Sequence, residues 1–185
     1  MRSRVGRAAT GGLVGIVLLT ACDARGAPDG SGPGGTTAEA EGAPSGRQPA
    51  VVVSVVDGDS VWLRAAGSGP LPPGDAVSVR LLEIDAPETA DCGYREAGAR
   101  LAGLVPPGSA VQVERDRDLQ DRFGRHLLYL WTEDGSFVNL AMIEQGFARA
   151  VLFEPNDAHI DAMRAAESAA RSTRSGLWAS CGSAG

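Results

Sequence analysis

Between Val51 and Trp178 the apolar residues fall into short runs with two different periods. Val51-Val52-Val53 through Val56 reads as a strand, Asp57-Gly58-Asp59 as a turn, and Val61-Trp62-Leu63 as the start of a second strand, giving a hairpin-like pair. After a loop at Pro70 to Asp75, Val77, Val79 and Leu81 alternate into Leu82-Glu83-Ile84-Asp85. This predicts one continuous third strand, with Leu82 and Ile84 buried on both sides near its end. Val111 and Val113 begin a fourth strand and Leu127 to Trp131 a fifth, and the polar stretch Arg115 to Arg125 reads as the loop between them.

The helical period enters in three places. Ala97, Leu101 and Leu104 mark a helix over Arg95 to Val105, closed by Pro106-Pro107-Gly108. Phe137 to Gln145 is a short helix stopped by Gly146. His159 to Thr173 is a longer one with Ile160, Met163, Ala166 and Ala170 on one face, against which Leu177-Trp178 is expected to dock. Five strands with a helix inserted after the third form a β-barrel pattern, so the expected class is α+β, with about three helices. No repeat interrupts it.

The first quarter of the chain has neither period. Three arginines in residues 1–7, a short apolar run to Ala21 and the closing Leu19-Thr20-Ala21-Cys22 have the layout of a secretory signal. Leu-Thr-Ala-Cys looks like the lipobox of bacterial lipoproteins, in which Cys22 receives the lipid and becomes the new N-terminus. The alternative is an ordinary signal peptide cut nearby, with Cys22 incidental. Buried acyl chains contribute about 0.8 kcal/mol per methylene, enough in number to hold the protein on a membrane. Residues 22–48 are Gly, Pro, Ser, Thr and Ala with scattered charge, and are expected to form a flexible, disordered tether. The predicted organisation is therefore a signal peptide at 1–21, the tether at 22–48, a folded domain at 49–181 and a tail at 182–185. The location that follows is the outer face of the bacterial cytoplasmic membrane, reached through the lipid anchor, with the domain expected to be a monomer.

Charge narrows the partners. The 17 basic residues, all arginine, face 23 acids for a formal net charge of −6, and loss of the signal would remove three arginines and no acid. So acidic a chain gains nothing from nonspecific attraction to phosphate, and any nucleic-acid contact must come from a local cluster of arginines. With Cys22 assigned to lipid, Cys92 and Cys181 remain. Outside the cytoplasm such a pair is expected to form a disulfide, stabilising by roughly 4 kcal/mol on the chain-entropy model, the alternative being two unpaired thiols in loops.

Candidate chemistry lies in three separated stretches: Val55 to Val61 (VVDGDSV), Arg80 to Thr89 (RLLEIDAPET) and Asp121 to Leu127 (DRFGRHL). Asp59 follows a turn and Asp85 ends a strand, so two carboxylates could converge from the rim of a small barrel onto one hard cation. Carboxylates, a carbonyl and waters suit calcium, whereas zinc would call for His or Cys that these stretches lack. Taken singly, each aspartate could equally be a turn residue bonding its own backbone. Arg80 could be a salt-bridge partner of Glu83 or Asp85, and Glu88 a surface glutamate. His126 and His159, the only histidines, read as structural, as do Glu114 and Glu167.

These stretches in order, with Val138-Asn139, Gly146-Phe147-Ala148 and Gly176-Leu177-Trp178, resemble the staphylococcal nuclease, or thermonuclease, family from about Val52 to Trp178. The resemblance implies an OB-fold-like five-stranded barrel and calcium-dependent hydrolysis of phosphodiester bonds in DNA and RNA. It implies that Asp59, Asp85 and the main-chain oxygen of Ala86 hold Ca2+, that Glu88 beyond Pro87 activates water, and that Arg80 and Arg125 clasp the phosphate. The family's base-packing tyrosines are unmatched: Val151 and Phe153 stand in that region, Phe123 stands where tyrosine is frequent, and there is no lysine. Two other readings remain open at this point, a noncatalytic nuclease-like binding module at the cell surface and an enzyme acting on some other phosphodiester.

Overall fold

A computed structural model of the chain describes residues 46–182. The signal peptide, Cys22, almost all of the tether and the last three residues of the tail lie outside the described residues. Five strands close into a barrel in the order β1 (Gln48–Val55), β2 (Ser60–Ala65), β3 (Val77–Leu81), β6 (His126–Thr132), β5 (Ala110–Gln120). All neighbours are antiparallel except β3 and β6, which run parallel. Helix α1 (Tyr94–Leu104) follows the third barrel strand, and α2 (Val138–Glu144), α3 (Ile160–Thr173) and the short α4 (Leu177–Ser180) come after the last. The predicted OB-fold-like barrel is present, with one more helix than expected.

Alternation explains the barrel wall. Val52, Leu63, Val79, Leu81, Val113, Leu128 and Leu130 point into one buried cluster that continues to Ala97 and Leu101 of α1, Met142 and Ile143 of α2 and Met163 of α3. A bulge between Val52 and Ser54 resolves the Val-Val-Val run, since Val53 is turned out to solvent while Val52 stays inside. Strand β6 is buried on both faces: Leu127 and Tyr129 join Leu82 in a second, smaller cluster. β1 begins at Gln48, the last residue assigned to the tether. Its buried amide donates to the Leu71 carbonyl and accepts from the Leu71 N–H.

Two sequence expectations are corrected. Arg115 to Gln120 is strand, not loop: β5 runs on as a polar ribbon whose outer end is pinned where the Asn156 side chain bonds the backbone of Asp118 on both its N–H and its C=O. The second correction bears on the site. The stretch from Val77 to Asp85 is not one strand, because the chain turns at Leu82-Glu83, with Glu83 at φ 61°, and resumes as β4 (Ile84–Asp85), which pairs with β7 (Arg149–Ala150) in a separate two-stranded sheet. Arg80 curls the chain, since its Nη1 donates to the carbonyls of both Leu81 and Ile84. Asn139, fully buried at the start of α2, then fixes the break by donating to the Leu82 carbonyl and accepting from the Leu130 N–H. Two backbone groups that a broken ladder would orphan are thereby satisfied. That is the physical role of the Val138-Asn139 motif.

Candidate active site

Strand register brings the first acids and the first arginine together. Ser60 is the cross-strand partner of Arg80, and Leu81 donates its N–H to the Asp59 carbonyl, so Asp59 stands level with the end of β3. Gly58 then allows the two motifs to touch. A Cβ there would lie 2.5 Å from the Ala86 Cβ and 2.7 Å from the Ala97 Cβ, so no side chain fits between the Asp57-Gly58-Asp59 turn, the segment after β4 and α1. The turn itself is set by Asp57, whose Oδ1 accepts from the Asp59 N–H.

In the resulting knot the Asp59 Oδ2 accepts from the Ala86 N–H at 2.9 Å and from Arg80 Nη2 at 3.0 Å, while its Oδ1 accepts from the Ser60 hydroxyl. The same Nη2 donates to Asp85 Oδ1 at 3.0 Å. One guanidinium nitrogen therefore joins both predicted metal-binding carboxylates, and the salt-bridge alternative for Arg80 is realised toward Asp85, though not toward Glu83. Burial dominates the Asp59 carboxyl and pushes it up to about 6. Arg80 and the Ala86 N–H pull the other way without cancelling that cost, and Asp57 adds to it. Asp59 is thus a buried acid whose charge the protein alone under-compensates.

That imbalance, and the half-exposed Asp85 carboxylate beside it, fit a hard divalent cation. Among the described residues no group of three or more His, Cys, Asp and Glu could hold a metal ion, so two carboxylates would need a carbonyl and waters to complete the shell. Flexible oxygen coordination of that kind suits calcium better than zinc.

Glu88 and Arg125 sit outside the knot. Glu88 is exposed on the loop after Pro87, where its N–H donates to Asp91 Oδ2 and its carbonyl accepts from the Asp91 N–H. Arg125 immediately precedes β6, which runs beside β3, and its Nε donates to Asp121 Oδ2 at 2.7 Å. Partial burial works to raise the Asp121 carboxyl, but the Arg125 side chain and the backbone N–H groups of Arg125 and Phe123 outweigh it and hold it below the ordinary range. Asp91 and Asp121, which position these two loops, were not singled out in the sequence. The signal for Asp121 was its spacing of four residues from Arg125.

The remaining candidates separate clearly. His126 is buried against Gln120, and burial pushes its imidazole down. His159 packs edge-on against Tyr129 and Phe137 and approaches Glu114, which also pairs with Arg47. Glu167 accepts from the Ala150 N–H and from Arg171. Phe123 is 70% exposed, with Arg122 over its ring. The peptide before Pro155 is cis. Cys92 and Cys181 form a disulfide, as expected. The Gly146-Phe147-Ala148 and Gly176-Leu177-Trp178 motifs meet backbone to backbone at Gly146 and its neighbour Gln145. Leu177 donates to the Gly146 carbonyl, and a Cβ on Gly176 would lie 2.3 Å from the Gln145 oxygen.

Comparison with known proteins agrees with this architecture. Residues 78–180 match the model of the staphylococcal nuclease homologue family. The chain is 29% identical over 133 residues to a thermonuclease of Staphylococcus intermedius, covering 69% of this chain and 74% of that protein. It is 34% identical over 135 residues to the protein ParB of Escherichia coli, covering 69% and 70%. It is also 35% identical over 117 residues to the endonuclease YncB of Bacillus subtilis (strain 168), covering 59% of this chain and 54% of that protein, so the match spans about half of YncB. The match over residues 78–180, on a closed five-stranded barrel that brings Asp59, Arg80 and Asp85 into contact, places the chain in the staphylococcal nuclease family, as a hydrolase of the phosphodiesterase or endonuclease type.

Proposed function

We propose that this protein is a calcium-dependent nuclease that hydrolyses phosphodiester bonds of both DNA and RNA by attack of water. The observation that carries the reading is Asp59, a buried, under-compensated carboxylate that shares one guanidinium nitrogen with Asp85 at the barrel rim. Asp59, Asp85 and the Ala86 carbonyl would hold the cation. Calcium, when bound, supplies charge to polarise the phosphate and orient water.

The chain's own residues do the rest. Glu88, free of side-chain partners among the described residues and directed by the rigid Pro87, accepts the proton as the water oxygen bonds to phosphorus and the bond to the leaving sugar oxygen breaks, that oxygen taking its proton from solvent. Arg125 is the stronger phosphate clasp. Asp121 engages only its Nε, and its terminal nitrogens have no hydrogen-bond partner among the described residues, so the flat end of the guanidinium can meet two phosphate oxygens. Arg80 has its terminal nitrogens committed to Leu81, Ile84, Asp59 and Asp85, so it acts on the phosphate through Nε or as a fixed positive charge behind the acids.

That same commitment of Arg80 favours a second reading, a noncatalytic nuclease-like module in which the knot is only structural. Digestion of single- and double-stranded DNA and RNA by the protein in calcium or in chelator separates the two. Cleavage that is lost in chelator and restored by excess calcium is expected, and absence of cleavage, or cleavage indifferent to chelator, would contradict the enzyme.

The proposed setting is extracytoplasmic, with Cys22 lipidated and the tether holding a monomeric domain off the membrane. Among the described residues no helix is long and apolar enough to cross a membrane. A Cys22→Ala variant is expected to move from the membrane to the soluble fraction; equal membrane association would contradict the anchor.

A further inference from the structure

A cavity of about 430 Å³ opens beside the candidate site, between the loop that carries Glu88 and the segment joining α2 to β7, with α4 as its third wall. Asp85 and Glu88 contribute to its lining, so it is continuous with the place where the phosphate would be held. We propose that this cavity receives the nucleobase of a nucleotide adjoining the scissile phosphate; the inference rests on the nuclease reading above.

Its size falls in the ~300–1,000 Å³ range of small-molecule sites. Phe147, Trp178, Leu177 and Pro87 give its walls large apolar side chains. They are also held in place. The Trp178 ring lies on the Gly146 backbone, where a Cβ would come within 3.0 Å of its Cδ1, and the Arg171 guanidinium covers the ring at 4.3 Å. The Cys92–Cys181 disulfide, both of whose residues line the cavity, ties the Glu88 loop to the end of α4. A Cβ on Gly93 would collide with Leu177, so the same two walls also pack directly. Such preorganisation lowers the ordering cost of binding a flat ligand.

The charge selects the part of the nucleotide that fits. Asp85, Glu88 and Asp91 face the cavity with Arg149 as the one cation in its lining, so a phosphate entering it would meet a net negative surface. A neutral base meets the apolar side chains of Phe147, Leu177, Trp178 and Pro87 instead, and contact with aromatic side chains tolerates any base. Arg149 is the cross-strand partner of Asp85, which joins the cavity floor to the proposed metal-binding acid through β4 and β7. The exposed Phe123, against Arg122 and Arg125, belongs to a different segment, so the two sides of the scissile phosphate would rest on different aromatic groups.

The test uses the full-length protein and oligonucleotides with one cleavable phosphodiester, in which the nucleotide on either side is in turn made abasic. On one side the abasic change is expected to lower kcat/KM by about tenfold, within the span of base–aromatic stacking. That penalty should shrink to about twofold in Phe147→Leu and persist in Phe147→Tyr, while the penalty on the other side is unchanged in both. Equal penalties in wild type and Phe147→Leu on both sides would overturn the inference. If Phe147→Leu does not fold, binding of the same oligonucleotides to Glu88→Gln replaces it: a base-dependent affinity on one side that free adenosine competes away supports the subsite, and an affinity indifferent to base on both sides overturns it. Failure of the nuclease reading looks different, since the fully based oligonucleotide would then go uncleaved in calcium.

Discussion

Two arginine–carboxylate groups flank the rim of this barrel, and they differ in burial. Arg80 is 7% exposed and Asp59 9%, with Asp85 completing the group, whereas Arg125 is 35% exposed against Asp121 at 17%. In the first, the strand break, the backbone carbonyls and both acids all depend on one guanidinium, so chemistry and folding share the same atoms. In the second, a polar hairpin offers an arginine that is steadied through Nε alone. Burial therefore decides whether a side chain can be removed without taking the structure with it.

The largest effect should come from Arg80→Ala. It leaves Asp59 buried without its arginine, so activity should fall to background and stability by about 3–5 kcal/mol, read by urea melts. An active, stable Arg80→Ala would erase the distinction between the two groups. Glu88→Gln sharpens it from the other side. Loss of a proton acceptor should cost about 10²–10⁴-fold in kcat, while the melt stays within ~0.5 kcal/mol because Glu88 is exposed. Arg125→Ala comes next, with about 10²–10³-fold in kcat and no more than ~1 kcal/mol of stability.

The smallest effect concerns Glu83, behind the knot. It is fully buried, its Oε1 accepts from the Tyr129 hydroxyl and the His159 N–H, and its Oε2 has no partner among the described residues. Burial raises its carboxyl despite those bonds, with Asp116 adding to the rise and His159 opposing it. A carboxyl raised on folding contributes stability that is complete below its unfolded value and lost as pH rises through the folded one. Glu83→Gln should remove that decline. Relative to wild type it should gain stability as pH rises from 4 to 8 in urea melts, and an unchanged difference across that range would show that Glu83 does not titrate there.

The barrel was legible because Val79, Leu81, Val111 and Val113 alternate with polar neighbours, and the helices because their apolar residues recur at helical spacing. The strand break at Leu82-Glu83 was not, because Leu82 and Ile84 read as a continuous buried strand. What bends the chain there is a side chain, Arg80, bonding two carbonyls, together with Asn139 from 57 residues away. β5 was read short because its second half is polar, and its pairing depends on contacts with Asn156 that no local period encodes. For the site, order and motif made Asp59, Arg80, Asp85, Glu88 and Arg125 the candidates, and the structure brings the first three of them into contact. The need for Gly58 was invisible until Ala86 and Ala97 were seen against it. The cavity beside Glu88 was equally hidden, since its walls come from three segments far apart in sequence.

The central claim is that Asp59 and Asp85 together hold one calcium ion. Calorimetric titration of calcium into wild type and Asp85→Asn tests it most directly. One ion per chain should bind wild type, with affinity at least tenfold weaker in Asp85→Asn while the fold is unchanged by circular dichroism; no calcium uptake by wild type, or equal uptake by both proteins, would contradict it.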